Sequence, residues 1–201
     1  MNTLILTEKP NVAEKIANFI GKAKKNQYEG VKYYEVGEDG NKIYVVSAVG
    51  HLYKLRQSTP IKNYPFFDVE WVETFKNSKK NKYVEPYVKL IEEISTQADR
   101  FINACDYDIE GSVIGHNALA YAAKTDISKT FRMKFSSLTK DEIISAYENL
   151  NPPDYPMINA GLARHVLDWY YGINTSKAMT ESLKKVSGRY VTLSAGRVQT
   201  P

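Results

Sequence analysis

The stretch Asp106-Tyr107-Asp108-Ile109-Glu110-Gly111 decides the fold class, because a strand-like run precedes it (residues 100–105) and a helical pattern follows it to about residue 123. Asp106 and Asp108 are two residues apart, so in an extended chain their side chains project to the same side. Glu110 stands at the helix entrance, and Gly111 allows a tight turn. A strand, an acidic turn and a helix in this order are typical of the carboxyl edge of a parallel sheet.

A second acidic position follows the first strand of the chain. Residues 3–7 have the pattern of a short buried strand, Glu8 comes next, and Pro10 suits the first turn of a helix. If the two strands are neighbours, Glu8 converges with the later carboxylates at one sheet edge. Converging carboxylates need a cation, and their hard oxygen atoms suit Mg²⁺, which also bridges to phosphate oxygens. The pattern predicts metal-assisted phosphoryl transfer or transesterification, with Lys9 and Arg132 as candidate phosphate partners.

The remaining sequence alternates between strand and helix patterns. We predict a hairpin at about residues 28–50, an irregular segment at 52–82, a helix at 84–97, a strand at 130–135, a helix at 139–150 and a long helix at 155–184. Thr139 suits the N-cap of its helix, with Glu142 completing a capping box. The break at Asn151-Pro152-Pro153-Asp154 predicts a domain boundary. We therefore expect an α/β fold with a mostly parallel sheet at 1–150 and a partial helical domain at 151–201.

Composition excludes several classes of protein. Hydrophobic residues make up 43% and charged residues 25% of 201 residues, which favours a buried core over disorder. Cys105 is the only cysteine, so no internal disulfide can form and a reducing cytoplasm is expected. No apolar run approaches the roughly 20 residues that span a bilayer, so no membrane partner is expected. A net charge of +4 is compatible with a polyanionic partner.

Each polar feature also has a purely structural interpretation. Acidic residues after strands often cap helices, and an arginine and an aspartate four apart, as in Arg164 and Asp168, often form a surface pair. His51 and His116 lie outside any Cys/His metal-ligand spacing, which favours packing or capping. These interpretations stay open for each feature taken alone.

Taken together, the motifs resemble those of the type IA DNA topoisomerases, most closely the topoisomerase III-like and archaeal branch. The opening Leu6-Thr7-Glu8-Lys9-Pro10 and the acidic stretch at 106–111 resemble the two acidic motifs of that family's Toprim domain. Residues 49–55, Val-Gly-His-Leu-Tyr-Lys-Leu, are similar to its Gly-His-Leu segment.

Two further motifs follow the predicted boundary. Residues 159–172 resemble the family's Ala-Arg-Arg-x-x-Asp-x-x-x-Gly helix, with His165 in the place of the second arginine. Residues 193–199, Leu-Ser-Ala-Gly-Arg-Val-Gln, match another family motif. The resemblance thus covers nearly the whole chain, in the family's own order.

The resemblance implies a Rossmann-like Toprim fold and an ATP-independent isomerase that cleaves and reseals one DNA strand. It implies that Glu8, Asp106 and Asp108 coordinate Mg²⁺, assisted by Glu110, and that Lys9 contacts the scissile phosphate. The implied catalytic residues are Glu8, Lys9, Arg164 and Asp168. The implied DNA contacts, preferentially to single-stranded DNA, are Lys9, Arg164, His165, Asp168, Ser194, Arg197 and Gln199, with Ser194 opening a helix whose N-terminus faces the phosphate.

No tyrosine of the chain lies in the context of the family's nucleophile. We therefore expect a truncated chain that works with the remaining domains of the same topoisomerase, and that is unable to relax supercoils alone. The resemblance also implies a monomer in the cytoplasm, associated with the nucleoid. The alternatives are a Toprim nuclease or primase-like phosphotransferase, the topoisomerase half of a reverse gyrase, and a non-catalytic magnesium-dependent DNA-binding module.

Overall fold

The structure is a computed structural model that describes residues 1–37, 41–60, 64–76 and 78–196. The helices and strands, in chain order, are β1 (Thr3–Thr7), α1 (Pro10–Ile20), β2 (Lys24–Tyr28), β3 (Val31–Val36), β4 (Ile43–Ser47), β5 (Tyr53–Gln57), β6 (Val69–Glu73), α2 (Glu85–Ser95), β7 (Arg100–Asn103), α3 (Ile109–Asn117), β8 (Thr130–Arg132), α4 (Lys140–Glu148) and α5 (Tyr155–Ser187). A 3₁₀ helix (Lys79–Val84) precedes α2, and a π-helical turn (Ala118–Ala122) continues α3.

The chain divides into two compact units. The first unit contains Met1–Tyr53 and Glu73–Gly161, and the second contains Lys54–Val72 and Leu162–Pro201. The second unit thus combines two segments that are distant in sequence. The division at 1–150 and 151–201 expected from sequence stays a prediction about functional domains.

The first unit is built on a six-stranded sheet in the order β2-β3-β4-β1-β7-β8. Strands β4, β1, β7 and β8 are parallel, and β2 and β3 form an antiparallel edge. This arrangement confirms the predicted α/β class with a mostly parallel sheet. It also makes β1 and β7 direct neighbours, with Leu6 opposite Asn103, so the two acidic segments leave the sheet side by side.

The central strand β1 is buried on both faces, as its uninterrupted apolar sequence requires. Leu4, Ile5 and Leu6 are each 0% exposed. On one face Ile5 belongs to a cluster with Ile16 of α1 and Ile143 of α4. Helix α2 packs against β3, β4 and the π-helical turn on the other face. Packing on both faces therefore fixes the position of β1, the strand that Glu8 follows.

Two strand assignments from sequence were incomplete. Strand β2 was not predicted, because its sequence Lys-Lys-Asn-Gln-Tyr is polar and it pairs at the sheet edge through its backbone. The segment expected to be irregular at 52–82 contains β5 and β6, which form a two-stranded sheet, and the 3₁₀ helix. The two paired strands are separated in sequence by a segment with two prolines, so no short turn signal links them.

The long helix was predicted correctly, at 155–184 against Tyr155–Ser187 in the structure. Asp154 begins it, because its Oδ1 accepts a hydrogen bond from the Met157 amide at 3.2 Å. It ends at Gly188, whose φ of +66° suits glycine. Among the described residues no helix is both long and apolar enough to cross a membrane.

Candidate metal and phosphate site

The first unit brings Glu8 and Asp106 together around the ammonium group of Lys9. Lys9 Nζ lies 2.5 Å from Asp106 Oδ2 and 3.7 Å from Glu8 Oε1. Burial raises the pKa of Glu8, and the charges of Asp106 and Asp108 raise it further, against the lowering effect of Lys9. The hydrogen bond to Asp106 is the largest cause of a raised pKa at Lys9. Glu8, Lys9 and Asp106 therefore meet at this sheet edge, and the role of the carboxylates as metal ligands stays a prediction.

Asp108 has a structural role beside any role in binding. Its Oδ1 accepts a hydrogen bond from the Gly111 amide at 2.7 Å, which caps α3. The turn before α3 is so tight that a Cβ on Gly111 would lie 2.2 Å from the carbonyl oxygen of Asp106. Glycine at this position is therefore a steric requirement of the loop that carries both aspartates.

The Arg132 guanidinium is buried against backbone carbonyl groups, which corrects the expectation from sequence that it binds a phosphate. It is 2% exposed and lies beneath the acidic loop. Its Nη1 donates to the carbonyl oxygens of Asn103 at 2.9 Å and Cys105 at 2.8 Å, and its Nη2 donates to that of Asp106 at 2.8 Å. The guanidinium thus braces the chain between the end of β7 and Asp106.

Glu110 points to a different partner from the other acidic residues. Its Oε2 lies 3.0 Å from Nε2 of His51, which follows a turn with φ of +56° at Val49 and +91° at Gly50. A positive φ at a β-branched residue is unusual, and such strain is concentrated at functional sites. The lack of a Cys/His metal-ligand spacing favoured packing or capping for His51, and only the Gly-His-Leu resemblance could have drawn attention to it.

A cleft of about 820 Å³, called the carboxylate cleft below, opens beside Lys9 and Asp106. Its walls include Asn11, Tyr107, Lys134 and Ser136. A volume of this size falls within the range of small-ligand sites, about 300–1,000 Å³. The sheet edge therefore offers charged groups and the space for a ligand together.

The capping box predicted for α4 is wrong. The Thr139 side chain makes no capping hydrogen bond. The Glu142 carboxylate instead accepts hydrogen bonds from the Ser136 amide, the Ser136 hydroxyl at 2.8 Å and the Ser137 hydroxyl. These bonds lower the pKa of Glu142 to about 2 and fix the loop that borders the carboxylate cleft.

The second unit carries the other predicted site residues. On α5, Arg164 Nε lies 3.9 Å from Asp168 Oδ2, and the His165 ring packs edge-on against Trp71 at 5.8 Å. Ser194 is exposed, and residues 189–196 form no helix, so Ser194 opens none within the described residues. Arg197 and Gln199 lie outside the described residues.

Two family profiles match the chain. The one described as "Toprim domain" matches residues 3–138, and the one described as "DNA topoisomerase" matches residues 152–201. Together they account for nearly all of the sequence, in the order in which the motifs occur.

Archaeal proteins named DNA topoisomerase 1 are similar over the whole chain. The Pyrococcus furiosus protein is 49% identical over 98% of this chain and 19% of its own length. The Methanocaldococcus jannaschii protein is 48% identical over 100% of this chain and 26% of its own length. The chain thus spans less than a third of the length of these relatives.

One solved structure supports the fold independently. Full-length topoisomerase I from Thermotoga maritima matches 98% of this chain and 28% of its own chain, with a TM-score of 0.60 and 22% sequence identity. At that identity the likeness supports the fold alone.

Proposed function

The chain belongs to the type IA DNA topoisomerases, and we propose that it provides the magnesium and DNA-backbone contacts for cleaving and resealing one DNA strand. The observation that carries the proposal is the meeting of Glu8 and Asp106 around Lys9, beside a cleft large enough for part of a nucleic acid strand. The Toprim domain is a metal-binding fold in topoisomerases, and the relatives are named for action on DNA.

The donor set at the sheet edge fits Mg²⁺. Glu8, Asp106 and Asp108 offer only carboxylate oxygens, the ligands that Mg²⁺ prefers, and their net charge is negative. These three residues would hold the ion, with Glu110, which stands in the first turn of α3, assisting them. When bound, Mg²⁺ supplies electrostatic stabilisation of the reacting phosphate oxygens.

Lys9 would bind the scissile phosphate. Its side chain is 51% exposed and its ammonium group borders the carboxylate cleft. An ammonium group has three donors, so contact with Asp106 leaves donors for a phosphate oxygen. Such a contact stabilises negative charge that develops when the phosphodiester is attacked.

The second unit would contact single-stranded DNA near the cleavage point. We assign this role to Arg164, His165, Asp168, Ser194, Arg197 and Gln199. The Arg164–Asp168 pair fixes the guanidinium on the exposed side of α5. Arginine in such a position can donate two parallel hydrogen bonds to a phosphate.

Strand cleavage also needs a nucleophile. The relatives are several times longer than this chain, and we propose that the attacking tyrosine belongs to the remaining domains of the protein. The 201 residues alone would then bind Mg²⁺ and single-stranded DNA without relaxing supercoils. We place the protein in the cytoplasm, as a monomer on chromosomal DNA.

The proposal is tested by incubating the chain with labelled single-stranded DNA and Mg²⁺, quenching with detergent and separating the products on a denaturing gel. We expect a complex before quenching and intact DNA afterwards. Free nicked DNA would assign the chain to Toprim nucleases instead. A protein-linked band would place the nucleophilic tyrosine within these 201 residues. Asp106→Asn is the control for contaminating nuclease, because contaminants would be unaffected by it.

A further inference from the structure

We propose that the carboxylate cleft seats the sugar-phosphate backbone of the DNA strand, with Lys134 binding a phosphate next to the one that Lys9 binds. This inference rests on the proposed function and adds a second phosphate-binding residue to it. The motifs that identify the family do not include Lys134.

Lys134 lies in the wall of the cleft that also contains Lys9, and the cleft is continuous between them. Its position follows from the sheet, because Lys134 comes two residues after β8, the strand beside β7. Parallel strands end at the same edge, so the residues after β1, β7 and β8 all reach this cleft. A strand of DNA lying along the edge would meet both ammonium groups.

The surroundings of Lys134 hold its charge in place without using all its donors. Its Nζ lies 3.6 Å from Asp154 Oδ2 and 4.8 Å from the centre of the Tyr107 ring. Asp154 also accepts hydrogen bonds from the Tyr107 hydroxyl at 3.1 Å and the Met157 amide at 3.2 Å. An ammonium group has three N–H donors, so the contact with Asp154 leaves donors on Lys134 for a phosphate oxygen.

Tyr107 supplies an aromatic surface beside Lys134 in the wall of the cleft. It is 45% exposed, and it sits between Asp106 and Asp108 in the acidic loop. An exposed ring beside an ammonium group suits a nucleotide, whose base or sugar can pack on the ring while its phosphate meets the cation. Glu142 is the only acidic wall residue besides Asp106 among those described, and its carboxylate is turned to the serine loop.

The test measures binding of a fluorescein-labelled oligothymidylate to the 201-residue chain in Mg²⁺ by anisotropy, over a range of salt concentrations. Each phosphate contact in single-stranded DNA contributes about 0.7 to the slope of log affinity against log salt. We expect Lys134→Ala to reduce the slope by about 0.7. Its affinity relative to that of the unmodified chain should then be about fivefold lower at ~0.1 M salt than at ~1 M salt. Lys134→Arg should retain the slope of the unmodified chain.

Lys89→Ala is the matched control. Lys89 is also paired with a carboxylate, Glu85 at 3.1 Å, but it lies on α2, which packs on the other face of the sheet. Lys89→Ala should therefore leave the slope of log affinity against log salt unchanged. If Lys134→Ala lowers the thermal midpoint, Lys134→Gln keeps the aliphatic stem and is used in its place.

The outcomes separate the two proposals. Failure of the unmodified chain to bind the oligonucleotide would overturn the proposed function itself. Normal binding with an unchanged slope in both Lys134→Ala and Lys134→Gln would overturn only the proposal that Lys134 binds a phosphate in the carboxylate cleft. An equal loss in Lys89→Ala would also overturn it, because the effect would then be that of overall charge.

Discussion

Replacing Arg132 with methionine tests whether the buried guanidinium holds the acidic loop in place. The guanidinium donates to three carbonyl oxygens on the path from β7 to Asp106, and it is almost fully buried. Methionine fills part of the volume and removes all the donors. The loop that carries Asp106 and Asp108 would then lose its brace while the sheet beneath it stays intact.

The expected cost follows from which carbonyl groups keep other partners. The Asn103 oxygen still accepts from the Met133 amide at 3.0 Å, and the Asp106 oxygen from the Asp108 amide at 2.9 Å. The Cys105 oxygen loses the guanidinium hydrogen bond of 2.8 Å. An unsatisfied buried acceptor costs about 1–3 kcal/mol, and each weakened neighbour adds about 0.5 kcal/mol, giving a net loss of about 3 kcal/mol.

Cys105 provides a direct probe of this opening. It is the only cysteine, it is 1% exposed, and burial raises the pKa of its thiol. Its reaction with a thiol reagent requires the loop to open, so a loss of about 3 kcal/mol predicts a reaction faster by roughly a hundredfold in Arg132→Met. Arg132→Lys, with a single point charge, should fall between the two. A rate in Arg132→Met within about threefold of the unmodified chain would refute the reasoning, since that is less than 1 kcal/mol.

Two further predictions follow from the same loop and its neighbour. Gly111→Ala should destabilise the chain by about 1–3 kcal/mol in urea unfolding, because its Cβ would overlap the Asp106 carbonyl. Gly172→Ala is the control, since its Cβ would meet Ala195 O at an ordinary 3.5 Å, and an equal loss there would contradict the steric argument. The low pKa of Glu142 should contribute stability that is present above the ordinary value of 4.5 and is lost as pH falls towards about 2. Thermal midpoints should therefore fall less over that interval in Glu142→Gln, and parallel curves for the two chains would contradict the assignment.

The parallel sheet and its acidic edge were predictable because both depend on periodic burial. A buried strand such as β1 must be apolar on both faces, and carboxylates that follow adjacent parallel strands must meet at one edge. Glu8 and Asp106 could therefore be placed near each other before any coordinates. The polar strand β2 escaped because it pairs at the sheet edge through its backbone, which leaves no hydrophobic signature. The β5–β6 pair escaped because a segment with two prolines separates two short strands.

Polar side chains were harder to predict, because a sequence pattern indicates burial but not hydrogen-bond partners. Arg132 ends strand β8, at the sheet edge where ligands often bind, yet its donors turn inward to carbonyl groups. Glu142 has the spacing of a capping box, yet two serines before the helix offer closer donors than Thr139. In both cases competition among nearby donors and acceptors decides the geometry.

The central claim is that Glu8, Asp106 and Asp108 form a Mg²⁺ site, and calorimetric titration of the 201-residue chain with Mg²⁺ tests it most directly. Asp106→Asn removes one charge from the cluster, and Asp126→Asn, at a 3₁₀ turn before β8, is the matched control. We predict saturable Mg²⁺ binding by the unmodified chain and Asp126→Asn, and weak or no binding by Asp106→Asn. Equal affinity in all three chains, or no binding by any of them, would contradict the assignment.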